Sequence, residues 1–325
     1  MATPQIQPRI DVTIRPLVEA DVPAAERIVR VAFGTFLGMP EPERFMGDAD
    51  YARTRWRADP TAVIAAELNG KLIGSNFVTN WGSFGFFGPL TIEPEYWNRG
   101  VAQKLLAPTM EIFRRWGSRH TGLYTFANSP KHMVLYQKFG FWPRDLVSNV
   151  AKPVSPLANP APAESSRFSD VKPAEREPLY AACREVADAN FEGLDVTREI
   201  RAVAEQKLGN TILVWDGSKL AAFAVCHTGP RTEAGTGVCY VKFAAVRPGA
   251  EAGRNFARLL EAVDAFARSA WAHKVTAGVN LARREAFQSL LAAGFRPESQ
   301  GVAMEAGDAS SGYNRAGVYI LDDWR

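Results

Sequence analysis

The sequence predicts an α/β fold built twice in tandem, each unit a mixed sheet in which strands alternate with helices. Three observations in the 325 residues carry that prediction. First, AAELNGKLIGSNFV (65–78) and TILVWDGSKLAAFAV (211–225) are alternating apolar runs folded about Asn69-Gly70 and Asp216-Gly217. Such pairs favour tight hairpins because both residues tolerate positive φ. Second, PLTIEP (89–94) and FAAVRP (243–248) are apolar runs closed by proline, and each is followed later by a Gly-Phe-x-Pro sequence, at 140–143 and 294–297. Third, the spacings agree: 140 − 94 = 46 and 294 − 248 = 46, so residue n matches residue n + 154 without a gap, and Leu105-Leu106 falls on Leu259-Leu260. A repeat at a fixed offset is the mark of a duplicated unit.

In the first unit the elements read in order. Residues 18–33 form a helix. Residues 62–67 and 71–79 form the hairpin, antiparallel by construction, and 84–92 are a strand. Residues 100–116 are a helix that gathers Val101, Leu105, Ile112, Phe113 and Trp116 near one face. Residues 121–127 are a strand, and 130–139 a short helix stopped by Gly140. A last strand follows. Residues 151–170, AKPVSPLANPAPAESSRFSD, read as a linker because proline fixes φ and lacks an N–H. The domains expected are therefore 1–150, the linker 151–170, and 171–325.

Composition narrows the function. Lys and Arg number 38 against 35 Asp and Glu, and the halves carry 17 against 14 (1–150) and 21 against 21 (151–325). Neither is a basic lobe, so nucleic acid is not an expected partner. Cys183, Cys226 and Cys239 are too few and too scattered for a disulfide framework. His120, His132, His227 and His273 lie far apart without HExxH or CxxC spacing, so no metal site is expected. MATPQIQPRIDVTIRP lacks the apolar stretch of a secretion signal, and no apolar run reaches the about 18 residues of a membrane span, so a cytoplasmic protein is expected.

The segment EYWNRGVAQKLL (95–106) must leave a strand and begin a helix within a few residues. Gly100 lets the backbone approach a ligand, and the unpaired N–H groups of the first helical turn, with the helix dipole, favour an anion. Arg99 adds a positive charge.

TIEPEYWNRGVAQKLL followed by NSPKHMVLYQKFGF resembles the GNAT superfamily of acyl-CoA-dependent N-acetyltransferases. The resemblance covers residues 12–145 through its motifs and 195–325 only through the internal repeat. Gly100 and Ala102 match the last two fixed positions of the family's Arg/Gln-x-x-Gly-x-Gly/Ala loop; Trp97 stands where Arg or Gln is usual. The resemblance implies two tandem GNAT-like domains, each a mixed, mostly antiparallel twisted sheet flanked by helices. It implies acetyl-CoA as cosubstrate, its pyrophosphate held by the N–H groups of Gly100, Val101 and Ala102. The strand edge at Thr91 and Ile92 would pair with the pantetheine arm, and Asn128 would reach that arm with its side chain. Asn128 equally suits a helix cap before Ser129-Pro130.

Tyr136, four residues before Gly140, stands where the family places a general acid for the departing CoA thiolate. A phenol with pKa near 10 can protonate a thiolate with pKa near 8.5, or stabilise it by a hydrogen bond. GLYTFAN (122–128) offers Tyr124 but no carboxylate base; Glu67 and Glu93 are candidates acting through water. Trp81, Phe84, Phe86 and Phe87 are either core or an aromatic wall on the acceptor side. In the second copy Gly100, Ala102, Asn128 and Tyr136 become Arg254, Phe256, Ala282 and Leu290, so that unit is expected to keep the fold, lose the chemistry and shape the acceptor cleft. The reading favoured is acetyl transfer to a primary amine of a small molecule, by a pseudo-dimeric monomer or a homodimer. Two alternatives stand beside it. One is a non-catalytic acyl-CoA-binding regulatory module. The other is a Fem-type aminoacyl-tRNA-dependent transferase, which the CoA loop and the lack of a basic surplus disfavour.

Overall fold

The computed structural model describes residues 8–155, 160–307, 312–322 and 324. The first half runs β1 (Thr13–Pro16), α1 (Val22–Phe36), α2 (Tyr51–Ala58), β2 (Val63–Leu68), β3 (Lys71–Trp81), β4 (Phe84–Ile92), α3 (Val101–Trp116), β5 (His120–Thr125), α4 (Pro130–Gln137) and β6 (Trp142–Pro153). The second runs β7 (Ser165–Arg167), α5 (Glu177–Asp188), α6 (Thr197–Gln206), β8 (Gly209–Asp216), β9 (Lys219–Gly229), β10 (Gly235–Val246), α7 (Ala252–Ser269), β11 (Lys274–Asn280), α8 (Arg284–Ala292), β12 (Arg296–Ala306) and β13 (Ile320–Leu321). The predicted helices, hairpins and strands are present, and α2 joins them. Of the stretch read as a linker, 151–153 finish β6 and 165–167 form β7, while 156–159 lie outside the described residues.

The offset of 154 survives in three dimensions. Adding it to β4, β5, α4 and β6 gives 238–246, 274–279, 284–291 and 296–307, against the observed β10, β11, α8 and β12. β4 pairs with β5 in parallel at Phe84↔His120, Gly85↔Thr121 and Phe86↔Gly122, and β10 with β11 at Val238↔Lys274, Cys239↔Val275 and Tyr240↔Thr276, the same register moved by 154. These are the two parallel pairings among the described strands; the rest are antiparallel.

The units exchange their last strands. β12 of the second lies against β5 of the first (Val302↔Thr125), and β6 of the first lies against β11 of the second (Ser148↔Val279). Subtracting 154 turns one pairing into the other, 302 to 148 and 279 to 125. β6 and β12 cross antiparallel, with Val147 opposite its own counterpart Gly301, so a pseudo-two-fold axis passes there. The result is one sheet in the order β1-β2-β3-β4-β5-β12-β6-β11-β10-β9-β8-β7, with β13 beside β10. Trp81, Phe84 and Phe86 are core in this seam, packed with Phe243, Tyr313 and Trp324 of the second half. An antiparallel pair tolerates one-sided solvent, but here helices pack on the sheet and bury its apolar residues.

A buried ionic group fixes the seam. Arg55 on α2 grips Glu233, from the β9–β10 connection, with Nη2 2.8 Å from Oε2. Glu233 also pairs with Lys242 of β10, whose ammonium lies 3.6 Å from Glu199 of α6. Two cations and two carboxylates cancel, which is how such groups are tolerated away from water.

Candidate active site

The site begins with a bulge. Opposite β3, the register steps from Asn76↔Leu90 to Val78↔Phe87, so β4 carries one extra residue around Gly88-Pro89. A bulge turns a strand and ends its pairing. β4 and β5 accordingly stay paired to Phe86 and then part. Arg55 also donates to the Gly88 carbonyl at the bulge.

β4 beyond the bulge ends at Thr91 and Ile92, both buried. The chain then turns through Pro94–Tyr96, and the Trp97 indole donates to the Ile92 carbonyl (2.8 Å). The residue that departs from the family pattern thus closes the strand-to-helix corner. Asn98 and Gly100 follow at φ 65° and 85°. The second is the left-handed region that glycine enters without steric cost. Gly100 precedes α3 with no side-chain cap, leaving the first-turn N–H groups open to a ligand. Arg99 stacks its guanidinium over Tyr96 (5.9 Å).

A cavity of about 1070 Å³ fills the gap between the parted strands. Thr91, Ile92, Gly100, Val101, Ala102 and Tyr136 all line it, as does Phe87, the one member of the aromatic cluster that reaches it. Arg99 and Asn128 are not in its wall; Asn128 is exposed in the turn before α4. Tyr136 is 7% exposed and 5.7 Å from Phe87, ring to ring. Its hydroxyl has no hydrogen-bond partner among the described residues, and burial pushes its pKa well above the ordinary phenol value. The phenol therefore keeps its proton at neutral and moderately alkaline pH.

Lys131 and Lys138 of α4 and its flank add positive charge to the wall, and burial draws the Lys131 ammonium below its usual range. Neither candidate base reaches the cavity. Glu67 is held by Arg15 (2.8 Å), and Glu93 by Arg27. The carboxylates that do line it are Glu233, in the ionic group, and Glu298, 3.2 Å from Lys274.

The far wall belongs to the second half: Tyr240, Lys274, Thr276 and Ser299, with Asn149 at the strand crossing. Asn149 donates to the Tyr124 hydroxyl and to Ser299, both at 3.0 Å, and its own carbonyl oxygen is buried without a partner. No motif marks these residues; strand exchange alone brings them in. The repeat relates their strands to those of the first unit but does not say which cavity they face.

The second cleft is closed. α7 starts at Ala252, a turn earlier than the counterpart of Val101 would (101 + 154 = 255), and Phe256, fully buried, occupies the place of Ala102. Leu290, the counterpart of Tyr136, is core.

Residues 31–141 match the acetyltransferase (GNAT) family. No curated protein sequence matches the chain. Among solved structures, a presumptive acetyltransferase of Pyrococcus horikoshii superposes with a TM-score of 0.70 at 14% identity, over 96% of this chain and 95% of that one. A GCN5-related N-acetyltransferase of Sphaerobacter thermophilus gives 0.57 at 16% identity, over 92% and 98%. A tandem GNAT protein from the clavulanic acid biosynthesis pathway gives 0.55 at 12%, over 91% and 98%. At these identities the likeness is one of fold, and it extends over both halves of the chain.

Proposed function

We propose, from the match of residues 31–141 to the acetyltransferase (GNAT) family, that the first unit moves an acetyl group from acetyl-CoA to a primary amine of a small molecule. The observation that carries this reading is the convergence of a parted strand edge, a glycine-started helix and an unpaired buried tyrosine on one cavity. The N–H groups of Val101 and Ala102, with that of Gly100, suit a pyrophosphate. The free edge of β4 at Thr91–Ile92 suits an amide-bearing arm, which would extend the sheet by main-chain hydrogen bonds. Lys131 and Lys138 suit the remaining phosphate charge.

Acetyl-CoA supplies an activated thioester. The amine forms the new C–N bond as the C–S bond breaks, and the amine proton leaves to solvent. Tyr136 acts on the departing sulfur. With its proton held tightly, it serves first as a hydrogen-bond donor to the developing thiolate, in a wall that excludes water. The second unit supplies the opposite wall and no second reaction.

Calorimetric titration of the whole chain with acetyl-CoA, followed by an amine screen read by free-thiol release, tests this. One site per chain and thiol release with an amine are expected. Two sites, or no binding, would overturn the reading.

A further inference from the structure

What lies in the second cleft is a piece of the same chain. β10 carries its own bulge, at Lys242, where the register steps from Val241↔Cys226 to Phe243↔Val225. Since 242 − 154 = 88, this is the counterpart of Gly88. β10 and β11 part beyond it as β4 and β5 do. Into that gap runs β13, pairing Leu321 with Ala244 and Ile320 with Ala245. Those two partners are the counterparts of Leu90 and Thr91 (244 − 154 = 90, 245 − 154 = 91), and Thr91 begins the edge assigned above to the cosubstrate's arm.

The flanks of β13 occupy the rest of a ligand's path. The Val246 N–H donates to the Tyr319 carbonyl (3.1 Å), and the Tyr319 ring packs 5.1 Å from Phe256 at the start of α7. The Gly317 N–H donates to Glu285 at the start of α8 (2.7 Å). Arg283, fully buried, binds the Ile320 carbonyl at 3.0 Å and Asp322 at 2.9 Å. Tyr313 also donates to Asp322. Ile320, Leu321 and Asp322 are at most 1% exposed. The segment then reaches Trp324, which is 3% exposed and lines the first cavity. A Cβ on Gly122 of β5 would stand 2.8 Å from its ring, so that glycine makes room for the indole.

We propose that residues 312–322 are a built-in occupant of the second cleft, lying where the first cleft takes its cosubstrate's arm, and that they thereby set Trp324 in the wall of the first cavity as a positioning residue. The likening of the two clefts rests on the function proposed above; the occupancy does not. The occupant is extended backbone that hydrogen-bonds to a strand edge, as a pantetheine arm would, but its anchor is an aspartate on a buried arginine rather than a phosphate on a helix start. The second unit therefore neither needs nor admits acetyl-CoA.

Hydrogen–deuterium exchange of the full chain, with and without acetyl-CoA, tests this. Peptides covering 243–247 and 318–322 should exchange slowly before any cosubstrate is added, and acetyl-CoA should protect only 88–103. Exchange of 318–322 at open-chain rates would overturn the proposal, as would acetyl-CoA protecting 243–247. Should acetyl-CoA protect nothing, the proposed function falls, and slow exchange at 318–322 alone still supports the occupancy. Trp324→Ala should leave 318–322 slow while 120–125 exchange faster by ~10-fold or more. Unchanged exchange at 120–125 would remove Trp324 from the wall, and Trp324→Phe should restore most of the protection.

Discussion

In the first unit β4 and β5 pair over three residues and part around a cavity; in the second, β10 and β11 pair over the equivalent three and one more, Val241↔Ala277, and part around a strand of the same chain. Both partings begin at a bulge in the same place, Gly88 and Lys242. The difference lies in the substituents. A glycine at φ 85° leaves the first helix start open, whereas Phe256 and Tyr319 cover the second. A duplicated cleft that no longer binds a ligand is a defect in the core unless something fills it, because its strand edges carry unpaired N–H and C=O groups. β13 pairs those groups.

The largest effect is expected where the filling is anchored. Asp322→Ala leaves the Arg283 guanidinium, at 0% exposure, without its carboxylate. Breaking one half of a buried pair costs about 3–5 kcal/mol. Thermal unfolding should fall by roughly 4–7 °C. Adding Arg283→Met should recover much of the loss, since an apolar replacement of both partners is tolerated better than a lone charge. A single variant as stable as the parent would mean that the segment does not hold the cleft. In the open cleft, Gly100→Glu puts a side chain at a left-handed position and a carboxylate beside the anion site. Acetyl-CoA affinity should drop by ~100-fold or more, about 2.7 kcal/mol. Arg254→Gly should create no second site, because Phe256 and Tyr319 remain.

How much of this could be read from sequence depends on whether the signal is local. The hairpins announce themselves through Asn69-Gly70 and Asp216-Gly217, and the repeat places β4, β5, α4 and β6 on their counterparts. Gly100 and Tyr136 sit on the cavity because their local elements put them there. Strand exchange is silent: β6 and β12 are related by the repeat, so an offset of 154 holds whichever unit each strand joins. The far wall, Tyr240, Lys274 and Ser299, is hidden for the same reason. VYIL (318–321) is a short apolar run with no sign of its partner. Asn128, read as a contact to the arm or as a helix cap, stands exposed in the turn before Ser129. Glu67 and Glu93 are candidates for a base acting through water in a sequence that does not identify one, and each meets an arginine, Arg15 and Arg27, from β1 and α1.

Tyr136 sharpens the comparison at the chemical step, since its counterpart is the core residue Leu290. Tyr136→Phe should lower kcat by about 100-fold, the usual lower bound for losing an acid–base group, with acetyl-CoA affinity within about twofold. Because burial raises the Tyr136 pKa, the parent should show no loss of kcat from phenol ionisation up to about pH 10. Turnover of Tyr136→Phe equal to the parent would show that the departing sulfur is served by another group.

The smallest effect concerns the seam that holds the two clefts together. His227 on β9 is fully buried beside Glu233, Lys242 and Arg55, with Tyr240 6.2 Å away, and neither ring nitrogen has a partner. Burial lowers its pKa from 6.5 to about 3, outweighing the pull of Glu233 toward the charged form. The unfolded chain then binds a proton that the folded chain refuses. Stability is full above pH 6.5 and declines as the pH falls toward 3, by at most about 1.4 kcal/mol per unit. Glu233, held low chiefly by Arg55 and Lys242 against its own burial, adds a loss in the same direction, but below the ordinary carboxylate range. As the pH falls from 6.5, His227 and the half-buried His132 both lower stability, while Glu26 and Asp145, raised by burial, act in the opposite direction where they titrate. His227→Phe should flatten the fall in unfolding temperature below pH 6.5 and leave acetyl-CoA binding at pH 7 unchanged. An equally steep fall in the variant would show that the seam takes up its acid sensitivity elsewhere than at β9.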